Sequence, residues 1–364
     1  MKRKGLVFLS LLLILTMVFT ACGQTTDKNQ EIIDSEKTES VDKDTAEKDE
    51  AKLDFEGRQM NVVTTSEKYV ELFDEFAKEV NAKVDFLSMS SGEVISRIQA
   101  EGGKPMADLW FGGGIDAFMA AKDSGLLESY IPKEADKVGS EFRDEEGYWI
   151  SKGLTVVGFL VNEELLKEKG LETPKTWKEL ADPKYKDEII MANPAISGTN
   201  YGAVKGILDM YGEEEGWAYL EKLNENIPFY GKRGKDPEEK TVAGEFAIGI
   251  IPADKSSFDV GEKNNLTVIY PEDGIPWVPE GVAIFKDGEG ADIAKAFLDF
   301  MLRDENQEKL AELDGKDGAQ MIKVGIGGYD LGLPEDKLID QDISTFGTMR
   351  EDILKRWEEL TIGK

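Results

Sequence analysis

Asn193-Pro194-Ala195-Ile196-Ser197-Gly198-Thr199-Asn200-Tyr201-Gly202-Ala203-Val204 follows the apolar run Glu188-Ile189-Ile190-Met191-Ala192. The run reads as a buried strand and Tyr201 to Tyr211 as a helix, so a Pro, a Gly and two hydroxyls sit in a tight strand-to-helix turn. The first turn of a helix presents unpaired N–H groups and the positive end of the helix dipole. Small residues there let an anion approach the backbone, and Ser197 and Thr199 add hydroxyl donors. An ordinary N-cap uses the same residue types, so the rest of the chain has to decide between the two readings.

From Gln59 onward the pattern alternates strand and helix. Met60 to Thr65 reads as a strand, Ser66 as an N-cap and Glu67 to Val80 as a helix with Tyr69, Leu72, Phe73 and Phe76 at helical spacing. Ala82 to Leu87 is the next strand, and Ser90-Ser91-Gly92 opens a helix over Glu93 to Gly102. Pro105 to Phe111 is a third strand; it runs into Gly112-Gly113-Gly114 and a helix from Ile115 through Lys122. Such βαβαβα order predicts a parallel sheet with helical crossovers, whose ligand crevice lies outside the carboxyl ends of its strands. The three ends carry hydroxyls (Thr64-Thr65-Ser66 and Ser88 to Ser91) or only glycine (Gly112 to Gly114), which admits close backbone approach. Leu154 to Asn162 is a long apolar strand that starts a second α/β unit. Further strands are expected over Thr241 to Ile251, Leu266 to Tyr270 and Pro276 to Phe285. Helices are expected over Tyr211 to Asn224, Ala291 to Leu302, Glu305 to Leu313 and Ile343 to Leu360.

The chain has 364 residues, a net charge of −29 and no histidine. About 300 residues after the leader exceed what one core usually holds, so two lobes are the default. Nucleic-acid binding is excluded by the acidic balance, because a phosphate backbone needs a basic face. The absent histidine removes Ser–His–Asp and Cys–His catalysis and the usual zinc ligands. Residues 1–22 combine a basic start (Lys2, Arg3, Lys4), an apolar run from Leu6 to Phe19 and Thr20-Ala21-Cys22, with Cys22 the sole cysteine. This resembles a bacterial lipoprotein signal ending in a lipidated Cys22. Residues 23–56, rich in Asp, Glu, Lys, Thr and Ser, form an expected disordered acidic tether.

Taken together, the motifs resemble those of the type II extracellular solute-binding proteins of ABC transporters, in the subgroup that binds ferric iron, sugar phosphates, phosphonates and thiamine. The residues that carry the resemblance are the leader, Ala107-Asp108-Leu109-Trp110-Phe111-Gly112-Gly113, the strand Leu154 to Asn162, Pro174-Lys175-Thr176-Trp177-Lys178-Glu179-Leu180, Ala181-Asp182-Pro183-Lys184-Tyr185-Lys186, Asn193-Pro194 with Ser197-Gly198-Thr199, and Pro279-Glu280-Gly281-Val282-Ala283-Ile284. The resemblance implies an α/β fold of two lobes with the ligand cleft between them and crossing hinge strands. Lobe 1 would span 57–155 and 280–335 and lobe 2 156–279, with the helix in 336–364 unassigned. It also implies a monomer held outside the cell membrane by its lipid. The partners would be a small anionic ligand, a membrane permease and that permease's ATPase; neither a cofactor nor catalysis is implied.

Ferric-binding members hold iron with two adjacent tyrosines after the strand equivalent to Val242–Ile251. Here that place reads Pro252-Ala253-Asp254-Lys255-Ser256-Ser257-Phe258, which argues against bare iron and leaves an iron chelate or another ligand open. The candidate ligand-binding residues are Thr65, Ser66, Ser91, Gly113, Gly114, Ser197, Gly198 and Thr199. Asp254 and Glu280 would accept from sugar hydroxyls or pair with an ammonium, and Trp277 would cover an apolar or sugar face. The blander readings are a turn residue for Asp254, a solvated carboxylate for Glu280 and core packing for Trp277. A carboxylate hydrolase built on Asp108 and Asp116 is the competing class, although no nucleophile–base pair is visible. If Cys22 carries the anchor, Cys22→Ala protein leaves the membrane fraction in a carbonate wash; complete retention there would refute it.

Overall fold

The computed structural model describes residues 53–364. Cys22 and most of the acidic tether lie outside the described residues. The strands are β1 (Gln59–Thr64), β2 (Lys83–Ser88), β3 (Leu109–Gly114), β4 (Leu127–Glu128), β5 (Ile150–Val161), β6 (Ile189–Ile190), β7 (Ile248–Pro252), β8 (Thr267–Ile269) and β9 (Trp277–Phe285). The helices are α1 (Val70–Glu79), α2 (Ser91–Ala100), α3 (Ile115–Asp123), α4 (Glu163–Glu168), α5 (Trp177–Leu180), α6 (Gly198–Tyr211), α7 (Glu213–Asn226), α8 (Asp236–Val242), α9 (Lys255–Asn264), α10 (Ala291–Met301), α11 (Asp304–Asp314), α12 (Thr345–Thr348) and α13 (Arg350–Leu360).

Strand order is β2-β1-β3-β9-β5-β7-β6, with β4 on β9 and β8 on β5. β1 pairs in parallel with β2 and β3, so Thr64, Ser88 and the end of β3 face the same way. β9 runs antiparallel to both β3 and β5. All twelve residues of β5 are buried, because its first half pairs with β9 and its second half with β7 and β8. β5 and β9 therefore join the two ends of the sheet, in line with the crossing strands that the resemblance implied.

Each end has its own apolar packing. α1 buries Leu72, Phe73 and Phe76 and α10 buries Phe297 and Phe300; Phe73 and Phe297 meet Phe111 of β3, and Phe76 packs on Phe297 and Phe300. At the other end Phe159 of β5 packs edge-on against Trp177, whose indole donates to the Gly274 carbonyl.

The structure redraws several expected boundaries. Thr241–Ile251 was expected as one strand, but α8 occupies Asp236–Val242 and β7 begins only at Ile248. Pro237 and the acidic residues of its first turn favour that helix start, and Gly244 at φ +71° follows its end. Gly112–Gly114 extend β3 rather than forming a separate turn, and α6 begins at Gly198, three residues earlier than Tyr201. The final helix is two, α12 and α13.

Residues 342–364 lie across both ends of the sheet. Gly347 abuts Met119 of α3, Tyr201 of α6 donates to the Phe346 carbonyl at 2.7 Å, and Trp357 meets Tyr230 edge-on at 5.1 Å. Arg350 Nε donates to Asp116 Oδ2 at 2.7 Å, and Asp116 is 1% exposed. Burial pushes the Asp116 carboxyl up, opposed by Arg350. Removing one partner of a buried pair leaves an uncompensated charge. Arg350→Ala should therefore cost about 3–5 kcal/mol of unfolding free energy at pH 7. With the folded-state value above the unfolded one, the deficit should shrink as pH falls and Asp116 takes a proton. Denaturant titrations at pH 7 and pH 5 test this; an equal deficit at both would contradict it.

Candidate functional site

The carboxyl ends of β1, β2 and β3 meet the start of α6. Gly112 and Gly113 adopt φ +89° and +111°, a region that side chains disfavour. A Cβ on Gly112 would lie 2.8 Å from Thr65 Oγ1 and 3.3 Å from Lys152 Cε. A Cβ on Gly113 would lie 3.3 Å from Ser91 Oγ, and one on Gly198 would also lie 3.3 Å from Ser91 Oγ. Gly114 and Gly198 touch across the interface, since a Cβ on Gly114 would stand 2.8 Å from Gly198 Cα. Only glycine permits that approach. The Ser91 hydroxyl is thus where the glycine strand and the α6 turn converge, and Gly92 beside it abuts the Ala195 carbonyl.

Thr65, Ser91, Gly113, Gly114, Ser197 and Gly198 are therefore brought together. Thr199 follows in the first turn of α6, half-buried. Two helix starts contribute here: α2 after the Ser90 cap and α6 after the Ser197 cap. α3 starts alongside, from Gly114. Their unpaired N–H groups and dipoles favour negative charge. Ser66 is committed differently, accepting from Lys68 N at 3.3 Å as the cap of a short 3₁₀ turn.

Behind Gly112 lies a group of charges of which sequence reasoning singled out only Glu280. Lys152 of β5 is fully buried and donates to Glu280 of β9 and to Asp314 at the end of α11. Lys68 pairs with Asp314 at 2.9 Å, and Lys316 with Glu280 at 3.4 Å. Tyr69 donates to Asp314 at 2.6 Å and Thr155 donates to Glu280. Burial pushes Glu280 and Asp314 up, but the surrounding lysines outweigh it and hold both well below the usual carboxylate range. Burial pushes Lys152 down, and Asp314 and Glu280 more than restore it. A lysine in the otherwise apolar Trp149 to Val161 was the available signal, because a buried ammonium has to be paired.

Glu280 is consequently an ion-pair residue of this group rather than a loop carboxylate in water. Asp254 caps α9, accepting from Ser257 N at 3.1 Å while Ser257 Oγ accepts from Asp254 N. Burial raises its carboxyl, with Lys316 and Lys68 opposing. Lys255 N donates to the Gly315 carbonyl at 2.8 Å, bringing the start of α9 against the end of α11. Trp277 stands apart. Its indole donates to the Ile339 carbonyl at 2.9 Å and its ring packs near Phe142, which accords with its core-packing reading. Arg97 pairs with Glu101, and Arg233 with Asp236 and Glu239, so neither is free for an anion. The Asp108 carboxylate accepts from Asn61 N at 2.7 Å and Gly290 N at 2.9 Å, and Asp116 is held by Arg350. Among the described residues no three carboxylates are placed to hold a metal ion.

The charge group makes a stability prediction. Lys152→Met strands two buried carboxylates and should cost about 3–5 kcal/mol at pH 7. In the wild type the depressed carboxylates contribute stability above their unfolded values near 4, lost as pH falls through the folded ones. The variant should lack that contribution and so lose less stability between pH 5 and pH 3. Parallel losses for the two proteins would show that Lys152 does not set the carboxylates.

Residues 104–317 match the family of bacterial extracellular solute-binding proteins. An uncharacterized protein of Haemophilus influenzae is 31% identical over 302 residues, covering 79% of this chain and 86% of that protein. The periplasmic binding protein AfuA from Actinobacillus pleuropneumoniae, solved with fructose-6-phosphate bound, superposes with a TM-score of 0.76 at 28% identity, covering 85% of this chain and 99% of that one. Iron-bound HitA from Pseudomonas aeruginosa gives 0.70 at 18% identity, covering 84% and 100%, a likeness of fold alone. The structure superposes on two-lobed type II periplasmic binding proteins, and this chain belongs to the bacterial extracellular solute-binding protein family.

Proposed function

We propose that this chain is the lipid-anchored, extracytoplasmic binding component of an ABC importer, a monomer that captures a small anionic solute, a sugar phosphate or phosphonate, and presents it to a permease. The observation that carries the reading is the convergence of the Gly112–Gly114 strand, the Thr65 and Ser91 hydroxyls and the α6 start at one point. Every polar group on that list can donate, and an anion needs donors. The fructose-6-phosphate bound to AfuA supports the choice of ligand class. Lobes of 57–155 with 280–335 and of 156–279 fit the sheet, since β5 and β9 pass between its ends; α13 packs on the second through Trp357 and Tyr230.

A ligand touching both Ser91 and Gly198 bridges the lobes and stabilises the closed form, the state a permease can read. The reading includes no catalysis: Asp108 and Asp116, the carboxylates a hydrolase would use, are engaged by backbone N–H groups and by Arg350. Bare ferric iron is disfavoured, because Asp254 occupies the expected tyrosine position and serves as a helix cap.

Calorimetry with fructose 6-phosphate, an organophosphonate and ferric citrate tests the assignment. A charged hydrogen bond is worth about 1.5–3 kcal/mol, so Ser197→Ala and Thr199→Val should each weaken phosphate-ester binding about ten- to a hundredfold; Ser197→Ala also removes the α6 cap and should lower the ligand-free melting temperature, whereas Thr199→Val should leave it unchanged. Wild-type affinity in both variants would reduce the α6 turn to a helix cap. A tyrosinate charge-transfer band at one equivalent of ferric citrate would replace the anion reading by an iron one.

A further inference from the structure

The cap of α6 is wired differently from the capping boxes of α2, α5 and α9. In α2, α5 and α9 the third helical residue, Glu93, Glu179 or Ser257, reaches back and accepts from the cap residue's own N–H. In α6 the third residue is Asn200, fully buried, and it donates instead. Ser197 Oγ accepts from Asn200 N at 3.3 Å and from Asn200 Nδ2 at 3.0 Å. The backbone bond alone would cap the helix, so the side-chain bond serves another end. It leaves Asn200 Oδ1 buried with no partner, a cost the fold carries for it.

A hydroxyl has two acceptor lone pairs and one proton. With both lone pairs of Ser197 occupied by Asn200, only its O–H remains, and among the described residues no acceptor receives it. Ser197 as a residue is 6% exposed and adjoins Gly198 and the Gly234 turn, where a Cβ on Gly234 would lie 3.7 Å from Ser197 Oγ. We infer that Asn200 is a positioning residue that fixes the Ser197 hydroxyl as an obligate hydrogen-bond donor, so that the cleft selects a fully ionised phosphate dianion. A protonated phosphate must itself find an acceptor, and next to this hydroxyl it meets a donor. The inference rests on the anion reading of the cleft.

The test is calorimetry with fructose 6-phosphate between pH 8 and pH 6, across the second ionisation of the ester near 6. A carboxylate in place of the amide accepts the Ser197 proton and turns the donor away. Wild-type affinity should fall about twofold from pH 8 to pH 6, as half of the ester gains its second proton, and Asn200→Asp should bind about tenfold or more weakly than wild type at pH 8. Asn200→Ala guards against misfolding of the first variant: it should weaken binding in the wild-type background but add less than about twofold in a Ser197→Ala background, since residue 200 acts through that hydroxyl. Wild-type affinity in both single variants, or a full additional loss from Asn200→Ala without the Ser197 hydroxyl, would overturn the inference alone. Absence of binding by the wild type to fructose 6-phosphate and to inorganic phosphate would overturn it together with the anion reading.

Discussion

The buried pairing of Lys152 with Glu280 and Asp314 is the constraint on which the rest of the site depends. It joins β5 to β9 at the point where the sheet passes from one end to the other, and it holds the end of α11 against them. Through Tyr69 and Lys68 the same group fixes the connection after β1, which carries Thr65 and Ser66. An ammonium taken fully out of water needs compensation from close carboxylates, and each carboxylate in turn needs more than one donor. Lys316, Thr155 and Tyr69 supply them. The positions of four chain segments are therefore mutually dependent.

On this frame the site is built from backbone and small side chains. Gly112, Gly113, Gly114 and Gly198 let two parts of the chain approach within van der Waals contact, which brings the starts of α2 and α6 together with the Thr65, Ser91 and Ser197 hydroxyls. Fixed donors of this kind favour an anion without bringing a mobile counter-charge, and exclusion of water on closure strengthens each contact. The lysines sit one layer behind, where their charge raises the local potential while their own carboxylates hold them in place.

Much of this was legible in the sequence, and for physical reasons. Period-3.6 apolar spacing marked α1 and α10, the continuous apolar run marked β5, and the hydroxyl and glycine residues after the strands are the ones on which the proposed anion site rests. What failed were features decided by tertiary contact. α8 took residues that read as strand because Pro237 and its acidic first turn start a helix there. Trp277 looked suited to cover a ligand, yet the carbonyl of Ile339, 62 residues away, holds its indole. Lys152, Asp314 and Lys316 carried no motif, since their meaning lies in a contact spanning more than 160 residues. The role of Asn200 was hidden in plain view: any residue at that position supplies the capping N–H, and only the geometry of its side chain distinguishes it.

A crystal structure of the protein grown with fructose 6-phosphate tests the central claim most directly. The account predicts the phosphate within hydrogen-bond distance of the Ser91 and Ser197 hydroxyls and of the α6 N–H groups, in the space bounded by Gly113, Gly114 and Gly198. A phosphate bound instead at Lys232 and Arg233 on the surface, or sugar hydroxyls occupying the α6 turn with the phosphate directed to solvent, would contradict it.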